Sequence, residues 1–415
     1  MQKTNKLNDF FQNNLPHYLE LHRQMVSINS FTENAAGVNE LGLLTAKIFA
    51  ALNFEAEFVQ ANNPKFGRHL SLKRNAHQAN RAENPPTIAM ISHLDTVFPP
   101  EEEIANDFVW RQEGDRLYGP GTVDIKGGTV MIYMVLDALQ NFYPEVLNNT
   151  NWLVLLDASE ERLSVDFGEF CLQRLPQNTL ACLVFEGGTH PNGDFYLVVA
   201  RKGRATFRVH VEGRSAHAGN NHAQGANAIL QMAYTVQKIA GFTDYDKEIT
   251  FNVGVIHGGS VVNRVPHTAD AEIEMRAFSP QVFAEGVDKM LSLNGVSQVS
   301  SADGYPCSVS IRMEEQTAPW PRNDATEMLY QLWEKTGNQL GFQVRREERG
   351  GLSDGNWLWN HFPTFDGLGP SGANGHCSER TPDGSKDQEY AQISSFIPKA
   401  LLNTMAIVNL VQNNP

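Results

Sequence analysis

Seven acids and imidazoles in this chain have the types and settings that a metal-assisted reaction needs: His93, Asp95, Asp124, Glu160, Glu161, Glu186 and His376. His93 and Asp95 follow the apolar run "IAMI" (88–91) at spacing i, i+2, which in a strand turns both side chains to one face. Asp124 stands among glycines in "GPGTVDIKGG", where the backbone can come close to a bound group. Glu160 and Glu161 close "NWLVLLDASEE", and two adjacent carboxylates, if buried, need a cation or a proton. Glu186 ends "CLVFEGG", and His376 lies in "GANGHCSE". Taken singly, each has an ordinary reading: a hydrogen-bonded strand end, a turn aspartate bonding its own backbone, a solvated terminus. Together they form a donor set delivered to one end of a sheet, where an α/β protein puts its ligand crevice. Imidazole and carboxylate suit zinc, with cobalt or manganese as alternatives.

The elements that must position these residues follow from pattern. Two helices are expected around 7–28 and 37–53, then strands near 55–60, 68–73 and 87–92. The glycine turn at 118–128 leads into an apolar helical run, followed by a strand, a helix over 166–175 and the strand "LACLVFEGG". Strands that are apolar throughout and alternate with helices predict α/β architecture with a mixed, mostly parallel, covered sheet. From about residue 201 the texture changes: "ATFRVHVEG" alternates apolar and polar, as a half-exposed antiparallel strand does. A helix over 222–240, strands near 249–257 and 269–277, a helix over 280–293 and a strand near 306–313 complete a β-α-β-β-α-β order, an open-faced sandwich. "TAPWPRN" reads as the return linker. The expected organisation is therefore a first domain over 1–200, an inserted domain over 201–317, and completion of the first by 318–415.

Composition narrows the function. At 415 residues the chain is too long for one core. A net charge of −14 argues against nucleic acid and anionic membranes as partners. The N-terminus carries no apolar core of signal-peptide length, and no run of about 18 apolar residues predicts a membrane span. Four scattered cysteines suit a reducing compartment, so a cytoplasmic protein is expected.

The motifs "SHLDTV", "GPGTVDIKGG", "SEE", "FEGG", "RKGRATFRVHVEGRSAHAG", "GGSVVNRVPHTA" and "GHCSE" come in one order over about residues 85–380. In that order the chain resembles the dizinc peptidases that include glutamate carboxypeptidase, aminoacylase, acetylornithine deacetylase and succinyl-diaminopimelate desuccinylase. The resemblance implies two Zn2+ per chain, one held by His93 and Glu186, the other by Glu161 and His376, with Asp124 bridging. It implies that Asp95 orients His93 and that Glu160 is the general base. In the inserted lid and dimerisation domain it makes His217 an oxyanion stabiliser reaching the partner subunit's site, and Asn263 and Arg276 holders of the substrate carboxylate. Gly372 would contact the substrate backbone. The sequence departs from the family at Ser159, where an Asp commonly precedes the Glu pair.

The implied activity is a metal-dependent hydrolase, working as a homodimer and cutting an amide beside a free carboxylate in a peptide or N-acyl amino acid. Glu at position 186 resembles the carboxypeptidases and deacylases, and "PTFDGLGPSGANGH" resembles glutamate carboxypeptidase. The alternatives are an N-acyl-amino-acid deacylase and a catalytically inactive binding protein on the same scaffold. "GLGPSG" satisfies a dinucleotide fingerprint, but loop residues follow it where that motif needs a helix.

Overall fold

The computed structural model describes residues 2–77, 85–189 and 193–413. All seven residues of strand Thr87–His93 are buried. This is the pattern of a central strand covered on both faces, and it accounts for the missing polar alternation. The strand lies in a six-stranded sheet ordered Glu55–Gln60, Arg68–Arg74, Asn151–Asp157, Thr87–His93, Thr179–Val184, Thr364–Phe365. The last four run parallel to one another, and the first two join antiparallel. The protein is thus α/β with a mostly parallel central sheet, as its apolar strands predict.

Helix Lys126–Phe142 is buried along most of its length. Helices Gln2–Val26 and Ile393–Gln412 pack against it. Gly128 permits the close approach of that helix to the strand ends, since a Cβ there would lie 2.0 Å from the Phe185 carbonyl oxygen. Helix Ile393–Gln412 is long and apolar enough by composition to cross a membrane, although polar residues interrupt its apolar ones; most of it is buried inside the protein. The expected early helices appear as Gln2–Val26 and Ala35–Ala50.

The chain divides into two compact units, the second comprising Ala200–Pro321 and Arg349–Leu352. In that second unit, strands Gly203–Glu212, Thr250–Gly258, Thr268–Ala277 and Ser308–Thr317 form an antiparallel sheet, and helices Ala228–Ala240 and Pro280–Leu291 complete the β-α-β-β-α-β order. Strand Gly203–Glu212 buries alternate residues, as its sequence alternation requires. The first helix starts at Ala228 rather than 222; residues His222–Gln224 form a separate short turn, and the Asn227 side chain caps the helix by accepting from Leu230 N. Residues 318–321, expected in the returning segment, belong to the second unit. Arg201 and Trp320 exchange backbone hydrogen bonds of 2.8 and 3.0 Å, which hold that stretch beside the end of strand Phe195–Arg201.

Candidate metal centre

The first unit brings all seven acids and imidazoles of the predicted site to related positions at one end of its sheet. His93 is the last residue of its strand and pairs in register with Asp157, the last residue of the neighbouring parallel strand. Glu160 and Glu161 follow Asp157 in a short 3-10 turn, and Glu186 lies two residues beyond Val184, the end of the next strand. Parallel strands in register end together, so three separate segments deliver their polar residues to one edge. Asp124 comes from the loop before helix Lys126–Phe142, and His376 from a loop in which its own φ is +66°.

The atoms converge in three overlapping groups: His93, Asp124 and Glu186; His93, Glu160 and Glu161; Asp124, Glu161 and His376. Within each group, candidate ligand atoms lie within 4.8 Å of one another. The two oxygens of Asp124 diverge. Oδ1 lies 3.1 Å from His93 Nε2, and Oδ2 lies 3.3 Å from His376 Nε2. Glu186 Oε1 is 3.8 Å from His93 Nε2, and Glu161 Oε2 is 3.2 Å from His376 Nε2. One carboxylate facing two histidines, each with a further acid, has the arrangement of a bridge between two cation sites.

Electrostatics give the same picture. Glu160 is pushed well above the usual carboxylate range, first by burial and then by Glu161, Glu186 and Asp124, against the pull of His93. Burial and Asp124 also raise Glu161, and its Oε1 is buried without a hydrogen-bond partner. Asp124 is held low, because bonds from His376 and His93 outweigh its burial. The bonds to Asp124 and Glu161 lift His376 to about 11. Four acids crowded around two imidazoles, one carboxylate oxygen orphaned, are groups that cations would compensate. This donor set fits two divalent metals of the zinc type.

Asp95 does more than the spacing predicted. Its carboxylate Oδ1 lies 3.4 Å from His93 Nδ1, and its backbone oxygen is nearer, at 3.0 Å. The same carboxylate accepts the backbone N–H groups of Glu160 (3.1 Å) and Glu161 (3.3 Å). It is held in turn by the Thr32 hydroxyl at 2.6 Å. Asp95 thus positions both the histidine and the acid pair.

Three contributors were not foreseen. Thr32 is one. Glu389 accepts from Val123 N (3.0 Å) and Asp124 N (3.2 Å), while its own N–H donates to the Cys377 oxygen (2.8 Å), tying the two ligand loops together. Asp354 is buried with Oδ1 unpartnered, and burial together with the charges of Asp157, Glu160 and Glu186 drives its carboxyl upward. None carries a local signal: a Thr in a turn, an acid in a polar loop and an acid at the start of a short helix are common.

His217, Asn263 and Arg276 belong to the second unit. His217 is exposed, and its Nδ1 accepts the N–H groups of Gly219 and Asn220 at 3.1 Å each, leaving Nε2 to carry the proton and donate. The Asn263 backbone oxygen accepts from Ala218 N at 3.0 Å, which joins the two segments. Arg276 is not the open fork that carboxylate binding suggested. Its Nε and Nη2 donate to Glu274 (2.7 and 3.2 Å), and Nη1 donates to the Gly350 oxygen at 2.7 Å. Gly372, in the first unit, has a packing reason for its identity, since a Cβ there would lie 2.1 Å from the Tyr390 oxygen. The short strand Gly372–Ala373 and then loop follow "GLGPS", so no dinucleotide helix follows.

Residues 199–292 match the M20 peptidase dimerisation domain. The chain's relatives include two named enzymes. It is 30% identical to carboxypeptidase G2 of Pseudomonas sp. (strain RS-16) over 191 residues, 46% of this chain and 44% of that protein. It is 25% identical to acetylornithine deacetylase of Klebsiella pneumoniae over 281 residues, 64% and 69% of the two chains. The first of these matches therefore spans less than half of the relative. Its fold is shared with a tripeptidase from Staphylococcus aureus at TM-score 0.73 and 19% identity, covering 96% of this chain and 99% of that one.

Proposed function

We propose that the chain is a metal-dependent hydrolase that cuts an amide bond beside a free carboxylate, of the glutamate carboxypeptidase kind. The observation that carries this reading is Asp124, whose two oxygens face two histidines beside the half-buried Glu160. His93 and Glu186 would hold one Zn2+, Glu161 and His376 the other, and Asp124 both; cobalt or manganese would suit the same donors. Such a metal pair acidifies a water and polarises a carbonyl. Glu160, raised by burial, would take the proton from the attacking water and return it to the leaving amine nitrogen. An N-acyl-amino-acid deacylase is the second reading, supported by the acetylornithine deacetylase match. Four unpaired cysteines support a reducing, cytoplasmic setting.

A homodimer through the second unit is part of this reading. Edge strand Thr250–Gly258 leaves Val255 and Ile256 exposed, and helix Ala228–Ala240 exposes Ile229, Leu230 and Tyr234, an apolar face suited to twofold pairing.

Ligand variants test the bridge. Glu161→Ala or His376→Ala should lower metal content by about one ion per chain, whereas Asp124→Ala should weaken both sites, because a bridge serves two cations. Elemental analysis that finds unchanged stoichiometry in the Asp124 variant would remove the bridge.

The activity itself is tested by stripping metal, restoring zinc, cobalt or manganese, and screening peptides ending in glutamate against N-acetyl and N-succinyl amino acids. Metal-dependent release of the terminal amino acid is the expected result; hydrolysis of none of them would sink the reading. Arg276→Ala belongs in the same assay. It should cost about 2–4 kcal/mol in kcat/KM for free acids, as losing a partly buried charged contact does. A substrate carboxylate must share or replace the Glu274 and Gly350 contacts, so an amidated substrate should lose as much with wild type and little more with the variant. Simply additive losses would show that Arg276 does not hold that carboxylate.

A further inference from the structure

Segment 157–166 carries both Glu160 and Glu161, and its two ends meet on one buried side chain, His69. That residue lies in strand Arg68–Arg74 and is 1% exposed, with its ring packed against the stacked pair Phe167 and Phe170 at 5.4 Å from each. Nδ1 lies 3.1 Å from Asp157 Oδ1, where the central strand ends. Nε2 lies 3.2 Å from Asp166 Oδ2, in the first turn of helix Val165–Leu172. The path between the two acids is hydrogen-bonded as well. Ser159 N donates to Asp157 Oδ1 (2.8 Å), the Ser159 and Ser164 hydroxyls pair at 3.2 Å, and Ser164 Oγ donates to Asp166 Oδ1 at 3.2 Å.

We propose that His69 is a positioning residue for the Glu160–Glu161 pair: it closes a ring of hydrogen bonds that fixes both ends of the segment bearing these acids. The inference rests on the reading of Glu160 as base and Glu161 as ligand. Ser159, the departure from the family pattern, is a member of the ring, which gives that residue a role in this chain. The chemistry of the ring depends on a cation. Asp157 is fully buried with its Oδ2 unpartnered; burial pushes its carboxyl up, and the facing His69 pulls it back down. Burial opposes a charge on His69, but the bonds to Asp157 and Asp166 outweigh it and raise the imidazole to about 9. A neutral ring would accept from Ala158 N, 3.2 Å from Nδ1; a ring protonated on both nitrogens donates to both acids. Without His69, the buried Asp157 carboxyl loses the imidazole that faces it and keeps the Ser159 N–H, and the turn that leads into Glu160 loses that anchor.

The test is a zinc titration of metal-stripped full-length protein against a chromophoric chelator, for wild type, His69→Gln, Asp166→Asn and the double variant. Each single variant should weaken the more weakly held zinc by about 10–100-fold, the usual cost of losing a group that orients a ligand. The double variant should lose no more than the worse single, because both open the same ring. With substrate, kcat should fall while KM stays within about twofold, since positioning of the base changes and substrate binding does not. Unchanged zinc affinity and kcat with a lowered melting temperature would overturn the proposal, leaving His69 a core residue. Losses that multiply in the double variant would overturn the ring. Should His69→Gln fail to fold, Asp166→Asn, at the more exposed end, carries the test alone. If wild type hydrolyses nothing in the panel, the functional reading fails, and the zinc titration still decides the role of His69.

Discussion

Glu160→Gln should leave the fold and both metals in place and lose about 10²–10⁴-fold in kcat, the range for removing a positioned proton-transfer group. The amide keeps the volume and much of the hydrogen bonding of the acid but cannot accept the proton of the attacking water. Glu160 suits this work better than its neighbour. Glu161 Oε2 already lies 3.2 Å from His376, whereas Glu160 is driven upward by burial and by three surrounding acids. Their backbone N–H groups share the Asp95 carboxylate, so the two side chains leave one turn with different tasks. Elemental analysis beside steady-state kinetics separates the outcomes. If metal content falls together with activity, Glu160 is a ligand and the base lies elsewhere.

A second large effect is expected from mixing two inactive proteins. Glu160→Ala and His217→Ala should each be inactive as homodimers. His217 is exposed, and its Nδ1 is committed to two backbone N–H groups, so its Nε2–H is available to a developing oxyanion. If His217 serves the partner's site, a heterodimer of the two variants has one site lacking both groups and one site with both intact. Activity should return towards half the wild-type rate per heterodimer once subunits exchange. If His217 acts within its own chain, every site keeps its own defect and mixing restores nothing. Inactive mixtures with exchange demonstrated by mass spectrometry would remove the trans role, leaving the exposed apolar face of the second unit without a catalytic reason.

Much of this protein was legible in its sequence because the signals are local. A strand buried on both faces must be apolar along its length, so "IAMI" and "LVLL" identify central strands directly. Alternation in "ATFRVHVEG" likewise specifies a sheet with one covered face, and the order of the second unit follows. The donor residues were legible for a related reason: a strand that ends in His or paired Glu, or a glycine loop around Asp, is a local anomaly that folding alone does not require. Their convergence is different. It depends on His93 and Asp157 ending parallel strands in register, and on loops far apart in sequence meeting beside them. Thr32, Glu389 and His69 come from segments 63 or more residues from Asp95, 265 from Asp124 and 88 from Asp157, and their residue types are ordinary where they stand. Arg276 shows the converse, a residue whose type suggested an open fork and whose neighbour two positions away, Glu274, already occupies it. Residue type and spacing determine which groups are offered; which partner each one meets is decided by tertiary packing, because a buried charge takes the countercharge that the fold brings to it.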